Sequence, residues 1–357
     1  MSRITQRTTT FAAVGVLLAW CGTATAASAA PGQPTAGIAS ATSCTRHWII
    51  DSGAVNSMYN TAAATQTQLQ KWFNNSCTYI LTVKPGDIAA AWSPRHFIPT
   101  GHTGDYSGDS NDDNSIDTLL SNSDSSGIPD GAIIYDDEHW NYSPAAQQDD
   151  PTGSEQSAQS TVNSWNTANS QSVILINTPA VDLENSQSQT GSGCTGPNTS
   201  DFTRYLNANC PRPANPQMGI LPEGPLSQYA AEYGSGMDIQ AQDLELCPTS
   251  AGACSLFPPD GSYGSFVRAA AADAVTGNSG AFIVAGLSTN PSSIGGGANT
   301  PVSPCTMYTD YSAVKGTVSG YWLNVTGGSS PGYGGKTNDQ VLASFMSNVT
   351  AGTDPCH

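Results

Sequence analysis

The chain is predicted to fold as an α/β protein, a single (β/α)8 TIM-type barrel with disulfide-stapled loops, and three observations predict it. Eight short apolar runs alternate with helical patterns along the chain, which is how a parallel sheet with crossover helices reads in sequence. The length suits one such barrel, for which ~250 residues are typical. The turn after the first run, "DSGAVNS" from Asp51 to Ser57, holds a single glycine. An open doubly wound sheet, the other architecture with this element order, would favour a glycine-rich phosphate turn there.

The elements follow in order. "HWIID" (His47 to Asp51) is the first strand, and Met58 to Phe73 is a helix rich in Ala and Gln whose apolar end is Leu69, Trp72 and Phe73. "YILTVKPG" (Tyr79 to Gly86) is a strand closed by Pro85 and Gly86, which cannot continue it. "DIAAAWSP" (Asp87 to Pro94) supplies the third strand, and Ser115 to Ser121 a short helix after a polar loop. "GAIIYDDEHW" (Gly131 to Trp140) is the fourth. The helix after it carries a capping box at Thr152 and Glu155, with Ala158, Val162 and Trp165 at helical spacing. "SVILINTP" (Ser172 to Pro179) is apolar almost throughout, as a strand covered on both faces should be. Beyond a loop with a helix at Asp201 to Asn207 come "GMDIQAQDLE" (Gly236 to Glu245), the helix Phe266 to Val275, "AFIVAGLSTNP" (Ala281 to Pro291) and "GYWLNV" (Gly320 to Val325). A last helix has its capping pair at Thr337 and Gln340 and an apolar face of Val341, Leu342, Phe345 and Val349.

Residues 1–30 read as a secretory signal peptide: Arg3 and Arg7 precede an apolar run, and Ala27, Ser28 and Ala29 form a small-residue cleavage site. The bulky Trp20 before Cys21 argues for free secretion over a lipid anchor. Residues 31–43 read as a flexible leader and 44–357 as the barrel domain. Of nine cysteines, eight remain once Cys21 leaves with the signal, and an even number in an exported chain implies disulfides. Their order suggests Cys44 with Cys77, Cys194 with Cys210, Cys247 with Cys254 and Cys305 with Cys356.

Acids outnumber bases 28 to 11, for a net charge of -17, so a phosphate backbone or an anionic membrane surface would be repelled. Charged residues are only 11% of the chain. Ser, Thr, Asn and Gln supply most of the polarity, which suits a protein that handles neutral polymers.

In a barrel of this kind the working residues sit at the C-terminal ends of the strands. Here those ends hold Asp51, Lys84, the trio Asp136, Asp137 and Glu138, then Asn177, Gln240 with Gln242, Ser288 with Asn290, and Trp322 with Asn324. Alternation puts Asp136 and Glu138 on one face of strand four and Tyr135 and Asp137 on the other. Two residues of rise separate the pair by roughly 6.6 Å, close enough for one carboxyl to hold its proton while the other is ionised. That is what a general acid requires. Asp238, Gln240 and Gln242 share a face of strand six, where amides can bind hydroxyls by paired bonds. Trp92, Trp140, Tyr142 and Trp322 offer stacking surfaces.

The ending "YDDEHW" resembles the D-x-E ending of strand four in the (β/α)8 glycoside hydrolases of the family 18 chitinase and endo-N-acetylglucosaminidase type. The resemblance implies Glu138 as the acid and Asp136 as the residue that orients an acetamido group, with Trp322 as a platform under the sugar. A second likeness is to retaining α-glycosidases that end strand four in Tyr-Asp. It implies attack by Asp136 and protonation by Asp238 or Asp243.

The expectation is therefore a secreted glycoside hydrolase with Asp136 and Glu138 catalytic. Asp51, Asp137, Trp140, Asn177, Asp238, Gln240, Gln242, Trp322 and Asn324 would bind a carbohydrate polymer or oligosaccharide. No cofactor and no metal are expected, nor any nucleic acid or membrane partner, and the protein should be a monomer. The alternative is a non-catalytic carbohydrate-binding barrel. Residues 109–120, "DSNDDNSIDTLL", have the spacing of a calcium loop but Leu120 at its last ligand position and Asn114 at its glycine, so a solvated acidic loop is expected. The histidines show no zinc spacing, and no G-x-S-x-G motif is present.

Overall fold

Runs of Ile, Val and Leu form the strands of one parallel sheet. The structure, a computed structural model, describes residues 44, 46–82, 96–99, 116, 119–121, 131–135, 151–178, 220–221, 224–246, 262–291, 300–325 and 328–357. The strands are β1 (His47–Asp51), β2 (Thr78–Thr82), β3 (His96–Pro99), β4 (Ala132–Tyr135), β5 (Ile174–Asn177), β6 (Gly236–Ile239), β7 (Phe282–Ser288) and β8 (Gly320–Asn324). Their order is β3-β2-β1-β8-β7-β6-β5-β4, and all seven ladders are parallel. Cut between β3 and β4, this is the order of a TIM barrel. Those two strands approach within 8 Å between Cα atoms but share no ladder among the described residues. The expected closed ring is thus found as a nearly closed, TIM-like parallel α/β barrel of seven ladders.

Helices fill the connections: α1 (Ser52–Asn60), α2 (Gln66–Phe73), α3 (Pro151–Asn169), α4 (Leu226–Glu232), α5 (Tyr263–Gly277), α6 (Pro304–Val314) and α7 (Asn338–Ala351). Residues 116 and 119–121 are helical where a short helix was expected. Leu120, which falls both in that helix and at the end of the expected acidic loop, is fully buried together with Ile116.

Several elements differ from expectation. The helix over Met58–Phe73 is two helices. Ala62 turns left-handed at φ 53°, and Thr65 starts a new helix with a full capping box, Gln68 N to Thr65 Oγ1 3.3 Å and Thr65 N to Gln68 Oε1 2.9 Å. The box satisfies orphan amides that an unbroken helix would not have. Helix α3 begins at Pro151, ahead of Thr152, and Glu155 is buried within it; proline's fixed φ suits a first helical position. The third strand is His96–Pro99. Residues 87–94 and 201–207 lie outside the described residues, as do residues 1–43, 109–115 and the cysteines at 194, 210, 247 and 254.

Strand alternation divides the core in two. Ile49, Tyr79, Leu81, Ala132, Ile134, Ile174, Ile176, Phe282 and Val284 fill the barrel interior, with Trp322 packed on them. At the N-terminal ends of β1 and β7, His47 meets Phe282 edge-on at 4.9 Å, and Tyr79 lies 5.8 Å from the same ring, so aromatics floor the barrel. The alternate residues, such as Met237, Ile239, Ile283, Ala285, Leu287, Tyr321 and Leu323, face the helices. Ile133 and Tyr135 pack under α3 with Ala158 and Val162, as its stripe predicts.

Chain ends are pinned covalently. Cys44–Cys77 ties the approach to β1 to the approach to β2, and Cys305–Cys356 ties the start of α6 to the chain end, both as sequence order suggests. These bonds fit an oxidising compartment. No helix among the described residues is long and apolar enough to cross a membrane. Beside β8 and β1, the first and last helices are joined by Asp339, whose Oδ2 accepts from Ser57 Oγ at 2.7 Å and Thr61 Oγ1 at 3.0 Å. Asp339 N donates to Gly328 O at 2.8 Å, and its Oδ1 occupies the space a Cβ on Gly328 would need. Because hydrogen bonds to a buried charge are worth more than neutral ones, Asp339→Ala should lower the unfolding free energy by about 3 kcal/mol. Ser57→Ala should cost about 1 kcal/mol. Urea unfolding at neutral pH measures both.

Candidate functional site at the barrel mouth

The interior positions continue upward to the C-terminal mouth. On β1 the inward parity of Ile49 leads to Asp51; on β6 it gives Asp238, then Gln240; on β7, Gly286 and Ser288; on β8, Trp322 and Asn324. Register places Trp322 between Ile49 and Gly286, and Asn324 beside Ser288. The structure therefore brings together Asp51, Asp238, Gln240, Trp322 and Asn324 from three strands, β1, β6 and β8. Asp238 is buried, Trp322 and Gln240 are half-buried, and Asp51 and Asn324 are exposed. Asp51 also caps α1: its Oδ1 accepts from Gly53 N at 2.5 Å and Ala54 N at 3.3 Å.

Asn177 goes elsewhere. It faces the helices, opposite the interior residue Ile176, and donates from Nδ2 to Ala230 O of α4 at 2.9 Å. Its expected place at the mouth is corrected on that geometry. The inward residue at this strand end is Thr178, whose N and Oγ1 both donate to Tyr135 O, at 2.8 and 2.9 Å. Gln240 Nε2 then donates to Thr178 O at 3.2 Å. Side chains thus join β4 to β5 and β5 to β6 where the main-chain ladders stop.

A larger departure lies between β6 and β7. Strand β6 leaves the sheet after Ile239 in a tight turn, Ala241 N to Ile239 O 2.7 Å, and becomes a short 3-10 helix over Gln242–Leu246. Strand β7 continues to Ser288. Tyr263, at the start of α5, donates from its hydroxyl to Gly286 O at 2.9 Å, and Glu245 Oε2 accepts from Ser288 N at 2.6 Å. Gln242 Oε1 presses on Gly286 where a Cβ would sit and has no hydrogen-bond partner among the described residues. Sequence reasoning placed Gln242 on strand six and passed over Thr178, Glu245 and Tyr263. The one available signal was Glu245 between Leu244 and Leu246, an acid between two apolar residues.

Burial governs the charges behind this wall. The Tyr263 phenol is pushed well above its ordinary value by desolvation, then by the charges of Glu245 and Asp310. It therefore stays a donor. Asp310, on α6, is buried with Oδ2 unpartnered among the described residues, and desolvation raises its carboxyl to about 8. No cluster of three metal-ligating side chains occurs among the described residues. Asp136, Asp137, Glu138, Trp140 and the side chain of Asp243 lie outside the described residues.

Fold and mouth together define a TIM-like parallel α/β barrel whose C-terminal end gathers neutral polar groups, two acids and a half-buried tryptophan. Compared with known proteins, the chain matches no family model and no curated protein.

Asp310 makes stability depend on pH. Its folded value lies above the ordinary 3.8, so between 3.8 and about 8 the native state holds a proton that the unfolded chain releases. Stability from this group is greatest at the acid end of that window and is lost as pH rises. Between pH 5 and pH 7.5, Asp310→Asn should flatten the decline by about 1 kcal/mol per pH unit. Urea midpoints of both proteins across the window measure it.

Proposed function

We propose that the chain is a secreted glycoside hydrolase with a (β/α)8 barrel, acting on a neutral polysaccharide or glycan through carboxyls at the end of β4. The observation that carries this reading is the inward parity of β4. Ala132 and Ile134 lie in the barrel interior, and the same two-residue repeat, carried on, reaches Asp136 and Glu138. Register supports a third acid at that level, since Ile134 pairs with Ile176 and Ile176 with Gly236. One step further along, the sequence aligns Asp136, Thr178 and Asp238.

Glycosidic cleavage needs one carboxyl that gives a proton to the leaving oxygen and one that attacks, activates water or steadies an assisting group, around an oxocarbenium-like transition state. Neighbouring acids titrate apart, which suits Glu138 to donate and Asp136 to attack or assist. Gln240, Gln242 and Asn324 supply paired donors and acceptors for sugar hydroxyls, and Trp322 supplies a ring face. Asp51, Asp137 and Trp140 complete the binding set. The two disulfides support export, and the surplus of acids fits a neutral substrate.

The test is a panel of cellulose, xylan, starch, β-1,3-glucan, chitin and mannan, scored for new reducing ends. The wild type should release sugar from at least one. Glu138→Gln and Asp136→Asn should each lower turnover by at least 10²-fold, the scale of one general acid, with the thermal midpoint nearly unchanged. Full activity in both variants would overturn the assignment. Retention on an insoluble polymer without release would make the barrel a carbohydrate-binding protein.

A further inference from the structure

The wall between β6 and β7 is incomplete at the mouth. In a parallel ladder, alternate residues of a strand turn both N–H and C=O toward the same neighbour. Phe282 N donates to Ser235 O at 3.0 Å, toward β6, whereas Thr289 N donates to Asn324 O at 3.2 Å, toward β8. By that parity Gly286 and Ser288 also face β6. The last β6 rung, however, is Ile239 against Ala285. Gly286 O and Ser288 N are left beside a strand that has turned away, and an unpaired buried backbone group costs about 1–3 kcal/mol.

Two side chains close the gap, Tyr263 on Gly286 O and Glu245 on Ser288 N. They differ in kind. A phenol replaces a neutral donor with a neutral donor. Glu245 places a carboxylate where a main-chain carbonyl would stand, and a charged acceptor makes the stronger bond. It is held there by Leu244, fully buried on the same 3-10 helix, and is itself almost fully buried. What it fixes is the mouth: Ser288, whose Oγ accepts from Asn290 N at 3.1 Å, lies in register with Asn324, and Gly286 with Trp322.

We propose that Glu245 is a positioning residue of the mouth, its carboxylate standing in for the rung β6 withdraws and so fixing the Ser288 end of β7 where it meets substrate. The role in turnover rests on the hydrolase reading; the fixing of β7 does not. Glu245 touches no reacting atom in this scheme. It acts through Ser288 and the Gly286 notch.

Two measurements on the full chain separate the parts. Native-state amide exchange over residues 286–290 should quicken at least tenfold in Glu245→Ala and return near the wild-type rate in Glu245→Gln, which keeps an acceptor oxygen. Exchange in α7 should be unchanged in both. On whichever panel polysaccharide the wild type cleaves, Glu245→Ala at 25 °C should lose at least tenfold in kcat/KM, while Glu245→Gln stays within about threefold. Unchanged exchange at 286–290 in Glu245→Ala overturns the inference. So does a lowered thermal midpoint with kcat/KM intact, which would make the residue a stabiliser only. If the wild type cleaves nothing on the panel, the hydrolase reading falls, and exchange, which needs no substrate, decides the fixing of β7.

Discussion

A parallel sheet demands that every buried backbone N–H and C=O find a partner up to the height at which each strand leaves the barrel. The strands here leave at different heights: β6 stops at Ile239, while β7 runs on to Ser288. The rest of the mouth depends on how that mismatch is met. Thr178, Gln240, Tyr263 and Glu245 each spend a side chain on a neighbour's main chain. The polar ring at the mouth is therefore partly structural.

A second dependence runs through the junction of the chain's beginning and end. Strands β1 and β8 are neighbours, and behind them Trp48, Tyr311, Tyr321 and Phe345 form a ring cluster with centroids 5.0 to 6.4 Å apart. Arg46 lies 4.5 Å over Tyr311. With Asp339 joining α1 and α7, this apolar and polar seam sets how β1 meets β8, and hence how far Asp51 lies from Asn324 and Trp322.

Much of this was legible in the sequence because it is local. The first, seventh and eighth strands fall within a residue or two of their apolar runs, and the Thr337–Gln340 capping box is formed as spacing implies. Helix α6 was also readable, from Ser303 as cap, Pro304 at the first position and Met307, Tyr311 and Val314 at helical spacing. What stayed hidden depends on partners distant in the chain. The core of "SVILINTP", Val173 to Ile176, is apolar throughout and so carries no parity signal, which is why Asn177 was placed on the wrong face. The bond from Glu245 to Ser288 spans 43 residues and follows from where β6 stops, which alternation alone does not reveal. The acids after β4 rest on parity from Ala132 and Ile134.

The Cys305–Cys356 bridge has one more consequence. It encloses α6, β8 and α7 in a single covalent loop, and the glycine-rich stretch from Gly328 to Lys336 lies within it. A protease that cut the exposed tip at Tyr333 to Gly335 would leave both pieces attached, with α7 still joined to the barrel. After such a cut the last barrel unit would survive as a two-piece assembly instead of losing its final helix.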